Sequence, residues 1–140
     1  MQEREIDLKS YCLIGEKGDD INSFVTKWVK DNNIQSGTIS VIGAIEDITL
    51  GWFDPESQQY VNTFFPGEYE LVSCMGNISY MDGEPFVHLH AVISDRYCRT
   101  FGGHLFSSKV AVTAEVFIQA ATTKLERVKT GAFGLIDPTR

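Results

Sequence analysis

The chain has three histidines, His88, His90 and His104, and all of them fall in one stretch of 17 residues. Imidazole is a preferred ligand of zinc and other borderline divalent metals, so this clustering points first to metal binding. His88 and His90 lie two apart in Phe86-Val87-His88-Leu89-His90-Ala91-Val92-Ile93, a run whose composition predicts a β-strand. Side chains two apart on a strand share a face, so both rings project together while Leu89 points the other way. His104 follows Gly102-Gly103, where a tight bend would bring it back against that face. Three nitrogens would then hold one ion and leave a fourth position for water or another ligand. The competing reading makes all three ordinary half-buried strand histidines, hydrogen-bonded to backbone or carboxylates. Cys98 lies between the two groups, either as a fourth ligand or, more simply, as a packed or loop thiol.

Positioning such a cluster takes a sheet. Ile6 to Ile14 alternates as a strand and ends at the Gly15-Glu16-Lys17-Gly18 turn. Asp19 or Asp20 can cap a helix over Asp20–Asn33, in which Ile21, Phe24, Val25, Trp28 and Val29 recur at helical spacing. The remainder reads mainly as strand. Runs cover Gly37 to Gly43, Ile45 to Phe53, Gln59 to Phe65, Tyr69 to Ser79, Phe86 to Ile93 and Val110 to Ile118, and another lies within Thr122 to Val128. Pro66-Gly67 is expected to break the chain between two of them, and Gly131 onward to be a tail. One helix followed by many short strands predicts an α+β fold. Its mostly antiparallel sheet has about seven strands, with one main helix packed on it.

Length and composition fit one domain over residues 1–140, with a core at about 11–118 and a C-terminal strand and tail over 119–140. With 43% hydrophobic and 22% charged residues, the chain is too apolar for disorder, and no apolar run is long enough to span a membrane. Twelve Lys and Arg against nineteen Asp and Glu give a net charge of -7. That charge disfavours binding of nucleic acid or an anionic membrane by the whole surface, while leaving room for a local basic patch. The charged N-terminus has no signal-peptide core. Cys12, Cys74 and Cys98 form no CxxC pair, so the expected setting is a reducing cytoplasm without disulfides.

Several segments together resemble the plants-and-prokaryotes-conserved (PPC) domain, here of the stand-alone prokaryotic type. Ser36 to Ile45 resembles the segment after that family's first helix, and Phe53 to Tyr60 its hairpin. Gly67-Glu68-Tyr69-Glu70-Leu71-Val72-Ser73-Cys74-Met75-Gly76 is similar to its central motif. His88-Leu89-His90-Ala91 and Gly102-Gly103-His104-Leu105 match its two histidine elements. The resemblance runs from about Tyr11 to Ile118. It implies a compact α+β domain assembling as a homotrimer, with His88, His90 and His104 as a metal unit, expected to be for zinc. It also brings an analogy with DNA-binding plant relatives. The Arg-Gly-Arg-Pro core with which an AT-hook reads the minor groove is not found in this sequence.

Two functional classes follow. One is a binding or regulatory module, with a structural or ligand-receiving metal site and DNA association by analogy. The other is a metalloenzyme that activates water on a small-molecule substrate, which needs an acid or base near the metal. Glu84, Asp95 and Glu115 are the candidates by proximity, Glu115 because it stands opposite Val112, Ala114 and Val116 in an alternating strand. The bland role for Glu115 is a solvent-facing or interface carboxylate. For DNA the basic residues to consider are Arg96, Arg99, Lys109, Lys124, Arg127 and Lys129. Interspersed with Asp95, Glu126 and Asp137, they read more simply as a solvated surface.

Overall fold

The computed structural model describes residues 8–139. The first strand, β1 (Leu8–Gly15), leads into the helix α1 (Ile21–Asp31). Six strands follow: β2 (Ser36–Asp54), β3 (Gln59–Met81), β4 (Glu84–Ser94), β5 (Thr100–Ala121), β6 (Glu126–Thr130) and β7 (Phe133–Asp137). Among the described residues, seven strands and one helix meet the expected architecture in outline, but at 70% strand and 8% helix the sheet dominates. Ile6 and Asp7, expected to begin the first strand, lie outside the described residues.

Four long strands close on themselves. β2 pairs with β3 and β5, and β4 pairs with β3 and β5, all antiparallel, so β2-β3-β4-β5 is a ring. β1 extends it beyond β5, and the β6–β7 hairpin hangs on β3 through a short parallel pairing at Tyr80 and Met81. Ring closure removes exposed edges from the central strands. Inside lie Ile39, Ile45, Ile48, Leu71, Ile78, Leu89, Ile93, Leu105 and Ile118, all essentially inaccessible to water.

The helix packs on β4 and β5. Its inner face is Ile21, Val25 and Val29, fully buried, while Phe24 and Trp28 are partly buried at the margin. Asp20 starts it: one carboxylate oxygen accepts from the Ser23 backbone N–H at 2.9 Å and the Ser23 hydroxyl at 2.7 Å. The other oxygen accepts from the Ser108 backbone N–H at 2.9 Å, so the same cap ties the helix to β5.

The expected break at Pro66-Gly67 is instead a bend within the 23-residue β3. The register with β2 shifts between Glu46 and Ile48, and Asp47 and Gly67 both take left-handed backbone angles (φ 51° and 81°). Asp47 closes the irregularity by accepting from the Gly67 N–H at 3.2 Å. A bulge lets a long strand turn a corner without ending, and glycine takes φ > 0 at no steric cost. A further shift between Gly43 and Ile45 reverses the in–out alternation of β5. Val110 and Ala111 are both buried as a result, and Val112 is 70% exposed on the side of Glu115, not opposite it. The C-terminal segment differs too. From Gly131 the expected tail turns into β7, the second strand of a hairpin.

Candidate metal centre

Along β4 the alternation is strict: Leu89, Ala91 and Ile93 point into the core, and His88 and His90 point outward. Their strand partners on β3 are Asn77 and Met75. His104 arrives by a different route from the expected bend. Gly102 and Gly103 are strand residues of β5, already paired with Val92 and Ala91, and His104 stands directly opposite His90. The glycine at 103 serves close approach: a Cβ there would sit 2.7 Å from the carbonyl oxygen of Gly51 on β2. Opposite residues of an antiparallel pair share a face, so three strand positions with no loop suffice to gather the rings.

The rings do gather. Centroids lie 4.9 Å apart for His88 and His90, 5.1 Å for His88 and His104, and 5.6 Å for His90 and His104. One nitrogen from each ring lies within 4.8 Å of the other two. Bonds of about 2.0–2.1 Å to one ion require only that the rings turn inward. Nδ1 of His104 is buried and has no hydrogen-bond partner. Leaving such an atom unsatisfied costs about 1–3 kcal/mol, so the ring is built to meet something further. The three donors therefore fit a divalent ion in type and spacing.

The surroundings favour the neutral form of two of the rings, His88 and His104. Burial first, then the neighbouring His104, His90 and Arg127 charges, push the His88 pKa down to about 4. Burial and His90 lower that of His104 as well. Neutral imidazole is the form that ligates metal. On one side Phe106 and Tyr60 stand 4.5 Å and 5.2 Å from the His104 ring. On the other, a shallow hollow of about 430 Å³ is bordered by Thr38, Met75, Gly76, Asn77, His88 and His90.

None of the carboxylates considered for catalysis belongs to this cluster. Glu84 pairs with Lys30 at 2.8 Å, and Asp95 holds Arg99 and the backbone of its own turn. Glu115 borders an outer hollow with Ile42, Glu70, Val72 and Val112. Cys98 is an exposed thiol in the Asp95 turn, outside the ligand group, and Cys12 and Cys74 are free as well. Among the basic residues, Arg99, Lys109 and Lys124 are paired with Asp95, Asp47 and Glu126. Among the described basic residues only Arg127 reaches the histidines: its Nη2 lies 3.5 Å from Nδ1 of His88. In the sequence alone, Arg127 stands out only as a candidate phosphate contact. Its place depends on the β3–β6 pairing, which no local pattern announces.

The fold is thus a closed antiparallel ring, with three outward histidines on neighbouring strands as a candidate metal site. The match to known proteins is specific: the model of the Plants and Prokaryotes Conserved (PCC) domain covers residues 3–122, and the chain belongs to that family. No curated protein matches its sequence significantly. A plant- and prokaryote-conserved protein of Pyrococcus horikoshii is 31% identical, with a TM-score of 0.90 over 98% of this chain and 97% of that one. A metal-containing protein of Archaeoglobus fulgidus is 30% identical, with a TM-score of 0.85 over 97% of both chains. A candidate DNA-binding protein of Bacteroides thetaiotaomicron is 25% identical, with a TM-score of 0.90 over 96% of this chain and 99% of that one.

Proposed function

We propose that the protein is a metal-binding module in which His88, His90 and His104 hold one divalent ion, with zinc the best match to three imidazole donors. The observation that carries this reading is the convergence of the three ring nitrogens within 4.8 Å. The unpartnered Nδ1 of His104 supports it, as does the metal-containing relative. A bound ion supplies Lewis acidity and an exchangeable fourth position. The chain's own part is to fix the rings by strand register and to favour the neutral form of His88 and His104.

Assembly as a homotrimer belongs to the same reading. Ile14 and Ile42 flank Glu115 across three strands, and Phe117, Ser40, Met75 and His90 align across the next row. Of these, Ile14, Ile42, Met75 and Phe117 are more than half exposed, and Val112 lies beside them. A closed threefold arrangement withdraws this face from water. The binding module is preferred over a water-activating enzyme because Glu84, Asp95 and Glu115 all stand away from the ligand cluster. DNA association draws on the description of relatives, and the pairing of Arg99, Lys109 and Lys124 with carboxylates gives it little local charge to work with.

The test is metal analysis of protein purified without a histidine tag, beside His88→Ala prepared in parallel. About one ion per chain is expected in the first and a small fraction of that in the second. Equal metal contents would overturn the three-histidine site.

A further inference from the structure

The β6–β7 hairpin lies beyond the segment matched by the family model, yet it reaches the histidine cluster at two points. Phe133 packs on Phe53 at 4.1 Å, Phe53 on Tyr60 at 5.4 Å, and Tyr60 on His104 at 5.2 Å. Arg127 approaches His88 directly. Its guanidinium is held in place: Nε donates to the Ser79 hydroxyl at 2.7 Å, Nη1 to the Gly134 carbonyl at 2.8 Å and Nη2 to the Asn77 side-chain carbonyl at 2.9 Å. The guanidinium carbon stands 4.7 Å from the centre of the Phe86 ring. Every one of these partners is uncharged. A pinned positive charge therefore stands at the edge of the site, and among the described residues no carboxylate is one of its hydrogen-bond partners.

Among the described residues, the ligand group and the adjoining hollow add no negative charge. The ligand group is three histidines, and the adjoining hollow is bordered by Thr38, Met75, Gly76, Asn77, His88 and His90 without an acidic residue. Three neutral imidazoles leave the charge of a divalent ion whole, whereas carboxylate ligands would have offset it. In a chain of net charge -7, this is a local concentration of the opposite sign.

We propose that the open position of this centre takes a small oxyanion, a carboxylate or a phosphate-type group, and that Arg127 determines that preference. The inference rests on the metal reading given above. Arg127 acts through its charge and its two remaining N–H groups, since its other three donors already secure the hairpin.

The experiment compares wild type, Arg127→Gln and Arg127→Lys, each loaded with cobalt(II) and titrated with acetate, inorganic phosphate and neutral imidazole, followed by visible absorption. Circular dichroism and metal content are read first. Arg127→Gln should bind both oxyanions about tenfold or more weakly, while imidazole affinity changes less than about twofold. Arg127→Lys, which keeps the charge and loses the fork, should retain most of the oxyanion affinity. Acetate and phosphate would show which oxyanion the pocket admits. Equal oxyanion affinity in wild type and Arg127→Gln, or no oxyanion binding by metal-loaded wild type, overturns the proposal and leaves Arg127 as a hairpin tie. If Arg127→Gln does not fold, a folded and metal-loaded Arg127→Lys that has lost oxyanion affinity overturns it equally. A wild type that takes up no metal overturns the three-histidine reading itself.

Discussion

His90 and His104 face one another directly across the β4–β5 pair, with ring centroids 5.6 Å apart. No loop intervenes, and the third ring, His88, is the next outward position on β4. The site is thus a property of sheet register, as rigid as the strands that carry it. Replacing any one of the three by Ala removes a donor from a minimal set and should weaken metal affinity by about a hundredfold or more. Cys98→Ser should leave affinity unchanged, because Cys98 is outside the ligand group. Competition against a chromophoric chelator measures both; retained affinity in His104→Ala would contradict the geometry.

The metal-free protein should lose stability in mild acid. An unfolded imidazole titrates at about 6.5, whereas folded His88 titrates at about 4 and His104 is lowered too. Between those values the unfolded chain binds more protons, so stability is whole above about pH 6.5 and falls as pH drops toward about 4. Urea midpoints across that window check it, and His88→Asn should flatten the slope. A midpoint constant over the same range would show that the rings are not held neutral by burial.

Asp20 should be worth more than an ordinary cap, since it serves the helix start and the β5 backbone together. Asp20→Ala is expected to cost about 1–2 kcal/mol in chemical denaturation. Val25→Ala, at a fully buried position of α1, should cost about as much or more through the cavity it leaves. Exposed Lys27→Ala provides the contrast, with a change within about 0.5 kcal/mol. An Asp20→Ala effect no larger than that of Lys27→Ala would refute the double role.

Light scattering should give three times the 15.7 kDa chain mass for the wild type. Val112→Glu should yield monomers, because it places a charge on the exposed apolar face at a position where the isolated chain tolerates it. A wild-type monomer at micromolar concentration would refute the trimer. A Val112→Glu trimer would move the interface to another face.

The histidine face was readable from the sequence because a strand has a period of two. His88 and His90 must share a side, and Leu89 must take the other. The helix was readable for a similar reason, its apolar stripe having a period that a strand cannot satisfy. Features that depend on the partner strand were not. Gly102-Gly103 suggests a bend, and only the approach of Gly51 shows why glycine stands there. Val112 lies on the wrong side of a simple alternation because a bulge against β2 resets the phase of β5. The strand expected within Thr122 to Val128 overlaps β6, but its partner β7 is too short to announce itself, and with it goes the approach of Arg127, 39 residues further along the chain, to His88.

All three candidate ligands sit on one hairpin, β4–β5, within 17 residues of sequence. A slip of one residue in β4 would turn His88 and His90 inward and put Leu89 outside, separating them from His104. An ion bound there therefore recognises the correctly paired hairpin and rejects the slipped one. Because the segment is short, its ends meet long before β1 can find β5, more than a hundred residues away in sequence. Metal added during refolding would thus select the right pairing at an early stage, making the ion a proofreader of the ring as well as its guest.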